Sequence, residues 1–267
     1  MEKPKVSFLI GVFNEGDRID RCLKSIENQT YSNFEVVIID DGSTDSTAEK
    51  IKEFAGGVNF DIKVVENKKN IGLTKSLNKG ITHCSGGYIA RLDADDIARP
   101  DRLAKQVYFL ESNPDFALVS SFNQVRHRDG SLHVKKFDVD PKKIRENLIK
   151  GCYFTHSSIL VRFSVLRDLK YNEMYKTSQD YELYVRIAKN WNIGAIPEPL
   201  VESEVRYDSI SKSKSKWERF KRFTSIRWKA FRSLDYPWWC IIYVGRGLYD
   251  LILPRFLSSF VNKFRKI

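Results

Sequence analysis

Four short apolar runs punctuate the first 110 residues, at 6–13, 34–39, 62–65 and 88–92. The first two predict strands buried on both faces, and the other two predict further strands. Between them, apolar residues recur at helical spacing: Ile19, Leu23 and Ile26, then Ala48, Ile51 and Phe54, then Leu73, Leu77 and Ile81. Asp17 stands where it can cap the first of these helices. Alternating strands and helices predict an α/β fold, a parallel sheet covered by helices and joined by right-handed crossovers. Beyond residue 109 the pattern changes. Residues 116–122 and 124–137 read as strands joined through Arg128-Asp129-Gly130, and Asp140-Pro141 opens a short helix with Ile144 and Leu148. Residues 157–161 are mostly apolar, and a helix with Leu183, Val185, Ile187 and Ala188 starts near Ser178, a candidate cap. A last pair of helical patterns places Trp217, Phe220, Trp228 and Phe231 in one stripe, and Phe256, Phe260 and Phe264 at spacing four.

Charge divides the chain at residue 205. The formal net charge is +11, yet residues 1–205 hold 30 basic and 30 acidic side chains, whereas 206–267 hold 15 and 4. The same 62 residues carry four of the five Trp and 14 of the 34 aromatic residues. The expected organisation is therefore a neutral body, 1–205, and a basic, aromatic helical extension, 206–267. Basic amphipathic helices with Trp at their boundary suit an anionic membrane surface. Packing of the stripe onto the body is the competing reading; no nucleic-acid partner is expected, because no binding motif accompanies the charge. The four cysteines, Cys22, Cys84, Cys152 and Cys240, are widely spaced and form no metal or disulfide framework, which fits a reducing compartment. No apolar signal region precedes the first strand, and the nearest approach to a membrane span, 238–253, is broken by Arg246 and Asp250. A cytoplasmic protein attached peripherally to the inner face of the cell membrane is expected.

Ligands of parallel α/β sheets bind beyond the carboxyl ends of the strands. There the sequence places Asn14 and Glu15, Asp40 and Asp41, Asn70, and Asp93, Asp95 and Asp96. An acidic rim suits a hard divalent cation and the hydroxyls and base nitrogens of a nucleotide, while phosphates need the metal and a cationic side chain, for which Lys75 and Arg102 are candidates. The alternative for the acidic stretch is helix capping by Asp96 or Asp101. Asp180, in the first turn of its helix, has the same alternative. No Gly-x-Gly-x-x-Gly follows the first strand and no phosphate loop of the Gly-Lys-Ser/Thr type occurs, against a dinucleotide fold or a P-loop.

The order of these motifs resembles the inverting glycosyltransferases of family 2 across about residues 4–205. The matching stretches are Pro4-Lys5-Val6-Ser7-Phe8-Leu9-Ile10-Gly11-Val12-Phe13-Asn14-Glu15, Ile39-Asp40-Asp41-Gly42-Ser43-Thr44-Asp45, and Asn70-Ile71-Gly72-Leu73. They continue with Gly87-Tyr88-Ile89-Ala90, Asp93-Ala94-Asp95-Asp96, Arg99-Pro100-Asp101-Arg102-Leu103 and Gln179-Asp180-Tyr181-Glu182-Leu183. The resemblance implies a GT-A fold, the Rossmann-like sheet of nucleotide-diphospho-sugar transferases, with Mg²⁺ or Mn²⁺ as cofactor. It implies that Gly11, Phe13, Asn14, Glu15 and Asp41 bind the base and ribose of a nucleoside-diphosphate sugar, most often a uridine one. Asp93 is implied beside the ribose and diphosphate, Asp95 as metal ligand, and Asp180 as the general base. Lys75 joins the donor set as the candidate phosphate cation. His156 matches a frequent family His and is a candidate for the donor or acceptor pocket, as is Gln179, which stands where many members have Glu.

The chemistry agrees. Direct displacement at an anomeric carbon needs a carboxylate to take the acceptor proton and a cation on the leaving diphosphate. The expected activity is inverting transfer of a hexosyl or N-acetylhexosaminyl group from a nucleoside-diphosphate sugar to a glycan or lipid-linked acceptor in cell-surface polysaccharide synthesis. A non-catalytic nucleotide-sugar binder and a sugar nucleotidyltransferase are the alternatives. The latter wants a Gly-rich phosphate loop that residues 11–15 do not supply.

Overall fold

A computed structural model describes residues 3–152, 154–205 and 215–246. The four apolar runs form β1 (Val6–Val12), β2 (Phe34–Asp40), β3 (Ile62–Glu66) and β4 (Tyr88–Arg91), and the periodic segments between them form α1 (Ile19–Glu27), α2 (Thr47–Gly56) and α3 (Leu73–Ile81). All contacts among these strands are parallel. The chain then passes through β5 (Ile97–Ala98), α4 (Arg102–Ser112), β6 (Phe116–Arg126), β7 (Leu132–Lys135) and α5 (Pro141–Asn147). A 3-10 turn (His156–Ser158), β8 (Leu160–Arg162), α6 (Phe163–Leu169), α7 (Gln179–Asn190) and β9 (Asn192–Glu204) complete the body.

One nine-stranded sheet runs β3-β2-β1-β4-β8-β6-β9-β5, with β7 on β6. β8 is antiparallel to both β4 and β6, so the sheet is mixed beyond β4. The chain leaves β4 in mid-sheet, runs through the acidic stretch 93–96 and joins the far end as β5, paired with β9. That excursion sets the acidic stretch between two parts of one sheet. Successive residues of β1 and β2 point to opposite faces, and both faces are covered, which explains why their sequences are largely apolar. Phe8, Ile10, Val36 and Ile38 enter one core with α1 and α4, while Leu9, Val37 and Ile39 enter another with α3 and α7. The third run differs: β3 is an edge strand whose positions are only half covered.

Several local expectations are corrected. Asp17 does not cap α1, which starts two residues later behind Arg18 with no side-chain cap bond. Ser178 takes a left-handed conformation (φ 61°) and caps nothing with its hydroxyl. The strand expected over 124–137 is split, its first residues extending β6 and only 132–135 returning as β7 across a turn where Gly130 has φ 81°. β9 escapes sequence reading because Pro197 and Pro199 interrupt its pattern; the structure absorbs them where the β6–β9 register shifts after Ser121 and Ile196.

The helix expected over 215–232 is α8 (Lys216–Ser233), whose first turn is capped by Ser215 Oγ accepting from the Glu218 N–H at 3.1 Å. It packs on α7, but through Phe223, Ile226 and Ala230 rather than through the Trp217–Phe231 stripe. A 3-10 turn (Trp238–Cys240) and α9 (Ile241–Gly245) follow. The expected stripe of Phe256, Phe260 and Phe264 lies outside the described residues. Among the described residues, no helix is long and apolar enough to cross a membrane.

Candidate active site

The carboxyl end of β4 builds the centre of the site. Arg91 is fully buried within that strand, and its guanidinium forms an ion pair with Asp93 and donates to the Leu92 carbonyl. From the 3-10 turn that leads into the neighbouring β8, Ser157 donates its hydroxyl to Asp93 Oδ2 at 2.7 Å and accepts the Asp93 N–H at 3.0 Å. Burial opposes ionisation of Asp93, but Arg91 and the Ser157 hydroxyl outweigh it and hold the carboxyl below its usual range. Asp96 is the reverse case: burial, with the charges of Asp93 and Asp95 beside it, pushes its carboxyl well up.

The capping alternative fails for this stretch. Asp101 stands at the N-cap of α4 without a side-chain cap bond and pairs with Lys105 at 2.7 Å, and Asp96 is buried in the carboxylate cluster. Among the described residues no three His, Cys, Asp or Glu side chains converge into a complete metal site. A Mg²⁺ or Mn²⁺ held by one or two carboxylates and by phosphate oxygens needs no such group. The donor set fits that mode, since Asp93, Asp95 and Asp96 offer hard oxygens in a crowd of like charge that a cation relieves.

The loops after β1 and β2 interlock beside this centre. The Asn14 N–H donates to Ser43 Oγ at 3.0 Å while its Oδ1 accepts from the Thr44 N–H at 2.9 Å, and the Glu15 N–H donates to Thr47 Oγ1 at 2.9 Å. The Glu15 carboxylate pairs with Arg18 at 3.1 Å. Asp41 is buried and accepts from Asn67 Nδ2 and from the Ile71 and Gly72 amides at 2.8–2.9 Å, tying the third loop to the second. At Gly11 any Cβ would come within 2.8 Å of Leu73 Cδ1, so its absence lets α3 close on β1. Phe13, by contrast, is 42% exposed beyond β1, an open ring against which a planar base can stack.

The two candidate phosphate cations separate. Lys75 is exposed in the first turn of α3. Arg102 is fully buried, donating to the Arg91 and Ile159 carbonyls at 2.8 and 3.1 Å and to Gln106 Oε1 at 3.0 Å; it is part of the scaffold and cannot reach a diphosphate.

Asp180 opens α7 behind the strained Ser178. Burial drives its carboxyl above the ordinary range, opposed by the Tyr181 and Asp180 amides and reinforced by the negative charge of Asp93. Two acids 87 positions apart in sequence thus share one electrostatic environment. The Cys152 thiol lies 3.9 Å from Asp180 Oδ2. Between the two acids, His156 Nε2 and Tyr171 OH are hydrogen-bonded at 2.8 Å. Burial, with Arg91 nearby, pulls His156 down to about 3, so its imidazole is neutral in the ordinary pH range. Gln179 is buried, and its Oε1 lacks a partner. Sequence reading missed Arg91, Ser157, Cys152 and Tyr171. Arg91 carried a signal, a charge inside an apolar strand; the other three carried none.

Comparisons with known proteins agree with this geometry. The family described as Glycosyl transferase family 2 matches residues 7–170. The chain is 31% identical over 273 residues to the putative glycosyltransferase EpsE of Bacillus subtilis, covering 98% of this chain and 94% of that protein. It is 29% identical over 223 residues to WfgD of Escherichia coli, a UDP-Glc:alpha-D-GlcNAc-diphosphoundecaprenol beta-1,3-glucosyltransferase, with 83% and 85% covered. Among solved structures, S. aureus TarS 1-349 in complex with UDP-GlcNAc aligns with a TM-score of 0.72 at 17% identity, over 94% of this chain and 76% of that one. The mannosyltransferase PcManGT of Pyrobaculum calidifontis, in complex with GDP-Man and Mn²⁺, aligns at 0.63 and 18% identity, over 99% and 80%. At those identities the structural likeness establishes the GT-A fold.

Proposed function

This chain belongs to glycosyltransferase family 2, and from that premise we propose that it moves a sugar, with inversion, from a UDP-sugar to a glycan or lipid-linked acceptor in cell-surface polysaccharide synthesis. Residues 1–205 form the transferase domain and 206–267 its extension. The observation that carries the reading is the pairing of a raised, partly exposed Asp180 with the Asp93 centre across one site. Asp180 takes the proton of the acceptor hydroxyl as that oxygen attacks the anomeric carbon, and the diphosphate leaves from the opposite face. One displacement inverts, so an α-linked donor gives a β-linked product. A base with a pKa moved toward neutrality combines readiness to ionise with driving force for proton transfer.

Asp93, fixed by Arg91 and Ser157, orients the ribose and diphosphate; Phe13 stacks on the base, and Lys75 approaches the phosphates. Asp95 with Asp93 would hold Mg²⁺ or Mn²⁺, which when bound supplies positive charge to the leaving diphosphate. The neutral His156, held by Tyr171, lines the sugar pocket. The UDP-Glc and diphosphoundecaprenol in the WfgD description and the UDP-GlcNAc bound to TarS support the nucleotide and the acceptor class.

The test is Mn²⁺-dependent turnover across a panel of UDP- and GDP-sugars, comparing wild type with Asp95→Ala. Consumption of one UDP-sugar, dependent on the metal and lost in Asp95→Ala, is expected. Binding without turnover across the panel would favour a nucleotide-sugar binder instead.

A further inference from the structure

α8 has two apolar faces, and only one is covered among the described residues. Ile226 and Ala230 are fully buried and Phe223 packs on Tyr181, with ring centroids 6.0 Å apart. Lys229 secures the same face by pairing with the buried Glu182 of α7 at 3.0 Å. Rotated from it, Trp217 stacks on Phe220 at 5.4 Å and Trp228 on Phe231 at 6.0 Å, while Trp217 and Trp228 remain 48% and 45% exposed. The following turn and α9 add Trp238 at 81%, Trp239 at 50% and Ile242 at 65% exposure. Large exposed apolar side chains concentrated in one short segment mark a contact surface.

The charge around them identifies the partner. Residues 215–246 hold eight Lys or Arg and two Asp or Glu. Lys216, Arg219, Lys221 and Arg232 are exposed on α8, and Lys221 Nζ lies 5.2 Å from the Trp217 ring centre. A Trp belt flanked by this excess of positive charge fits the boundary between acyl chains and anionic headgroups.

We propose that the Trp217, Trp228, Trp238 and Trp239 face is a docking surface for an anionic phospholipid bilayer, with the rings at the acyl boundary and the flanking cations against headgroup phosphates. The buried face of α8 holds the first turns of α7 through Tyr181 and Glu182, so docking places α8 between the headgroups and the helix that carries Asp180. This last consequence rests on the proposed transferase reading; the docking surface does not.

The test is flotation of the full chain with phosphatidylglycerol/phosphatidylcholine vesicles at low salt, some carrying brominated acyl chains to quench inserted Trp. Binding to these vesicles but not to pure phosphatidylcholine, with quenching, is expected. Lys221→Ala and Arg232→Ala each weaken it about fivefold. A variant with Trp217, Trp228, Trp238 and Trp239 all replaced by Ala loses quenching and at least tenfold in binding, while its melting temperature and donor hydrolysis persist. Absence of binding by wild type, binding without quenching, or wild-type binding by the four-Trp variant overturns the proposal. So does a dimer in vesicle-free sedimentation that the four-Trp variant abolishes, which would make the face an interface between two copies. Vesicle binding without donor turnover would sink the transferase reading and leave docking intact; turnover without binding would do the reverse.

Discussion

Asp180 owes its character to its neighbours. The start of α7 offers it backbone amides that favour the charge, yet burial and the nearby Asp93 push the other way and win. The sign follows directly: the base is active when ionised, so kcat/KM falls as pH drops through a pKa above the ordinary 3.8 of an Asp. A pH–rate profile on the identified donor should show this acidic limb, and a rate flat down to the ordinary Asp range would contradict the assignment. At Asp93 the same forces give the opposite result because Arg91 and Ser157 face it. The acids themselves were legible in sequence as residues at strand and helix ends. Their opposite tuning was not, since it depends on Ser157, 64 positions away, and on a buried arginine whose partner spacing does not reveal.

At the scale of elements, Glu35 joins the parallel strands. Its carboxylate is fully buried on β2 and accepts from Ser7 Oγ of β1 at 2.6 Å, Lys63 Nζ of β3 at 3.0 Å, and the Ser85 N–H and hydroxyl before β4 at 2.6 and 2.9 Å. Burial alone would raise its pKa, but these donors lower it from 4.5 to about 2. The folded value is depressed, so the stabilisation is present above the unfolded pKa and is lost as pH falls from about 4.5 toward about 2. Glu35→Gln is expected to destabilise the protein at neutral pH by about 1–3 kcal/mol and to flatten its stability across that acid window. Urea melts at a series of pH values measure this; an unchanged pH slope would remove Glu35 from the account. The parallel half was legible because apolar residues dominate its runs, with single polar residues such as Glu35 and Lys63 among them. β9 was hidden by its prolines, and α8 was legible as a helix, although the competing reading, that its Trp217–Phe231 stripe packs on the body, gives way to packing through Phe223, Ile226 and Ala230.

For the molecule as a whole, the sheet's excursion from β4 through residues 93–96 to β5 matters most. It brings the acidic centre to the carboxyl ends of the parallel strands, next to the loops after β1 and β2 and within the electrostatic reach of Asp180 on α7, while α8 braces α7. Motif order was enough to expect that assembly, because strand ends of a parallel sheet open on one side. Of the two candidate phosphate cations, burial removes Arg102, which is locked onto carbonyls, and leaves Lys75 in solvent. The central claim is that Asp180 is the base of a displacement centred at Asp93, and Asp180→Asn tests it most directly. With the identified donor and Mn²⁺, the variant should bind donor within about twofold of wild type while transfer falls by about 10²–10⁴-fold, the usual contribution of a general base. Transfer by Asp180→Asn within about threefold of wild type would contradict the account.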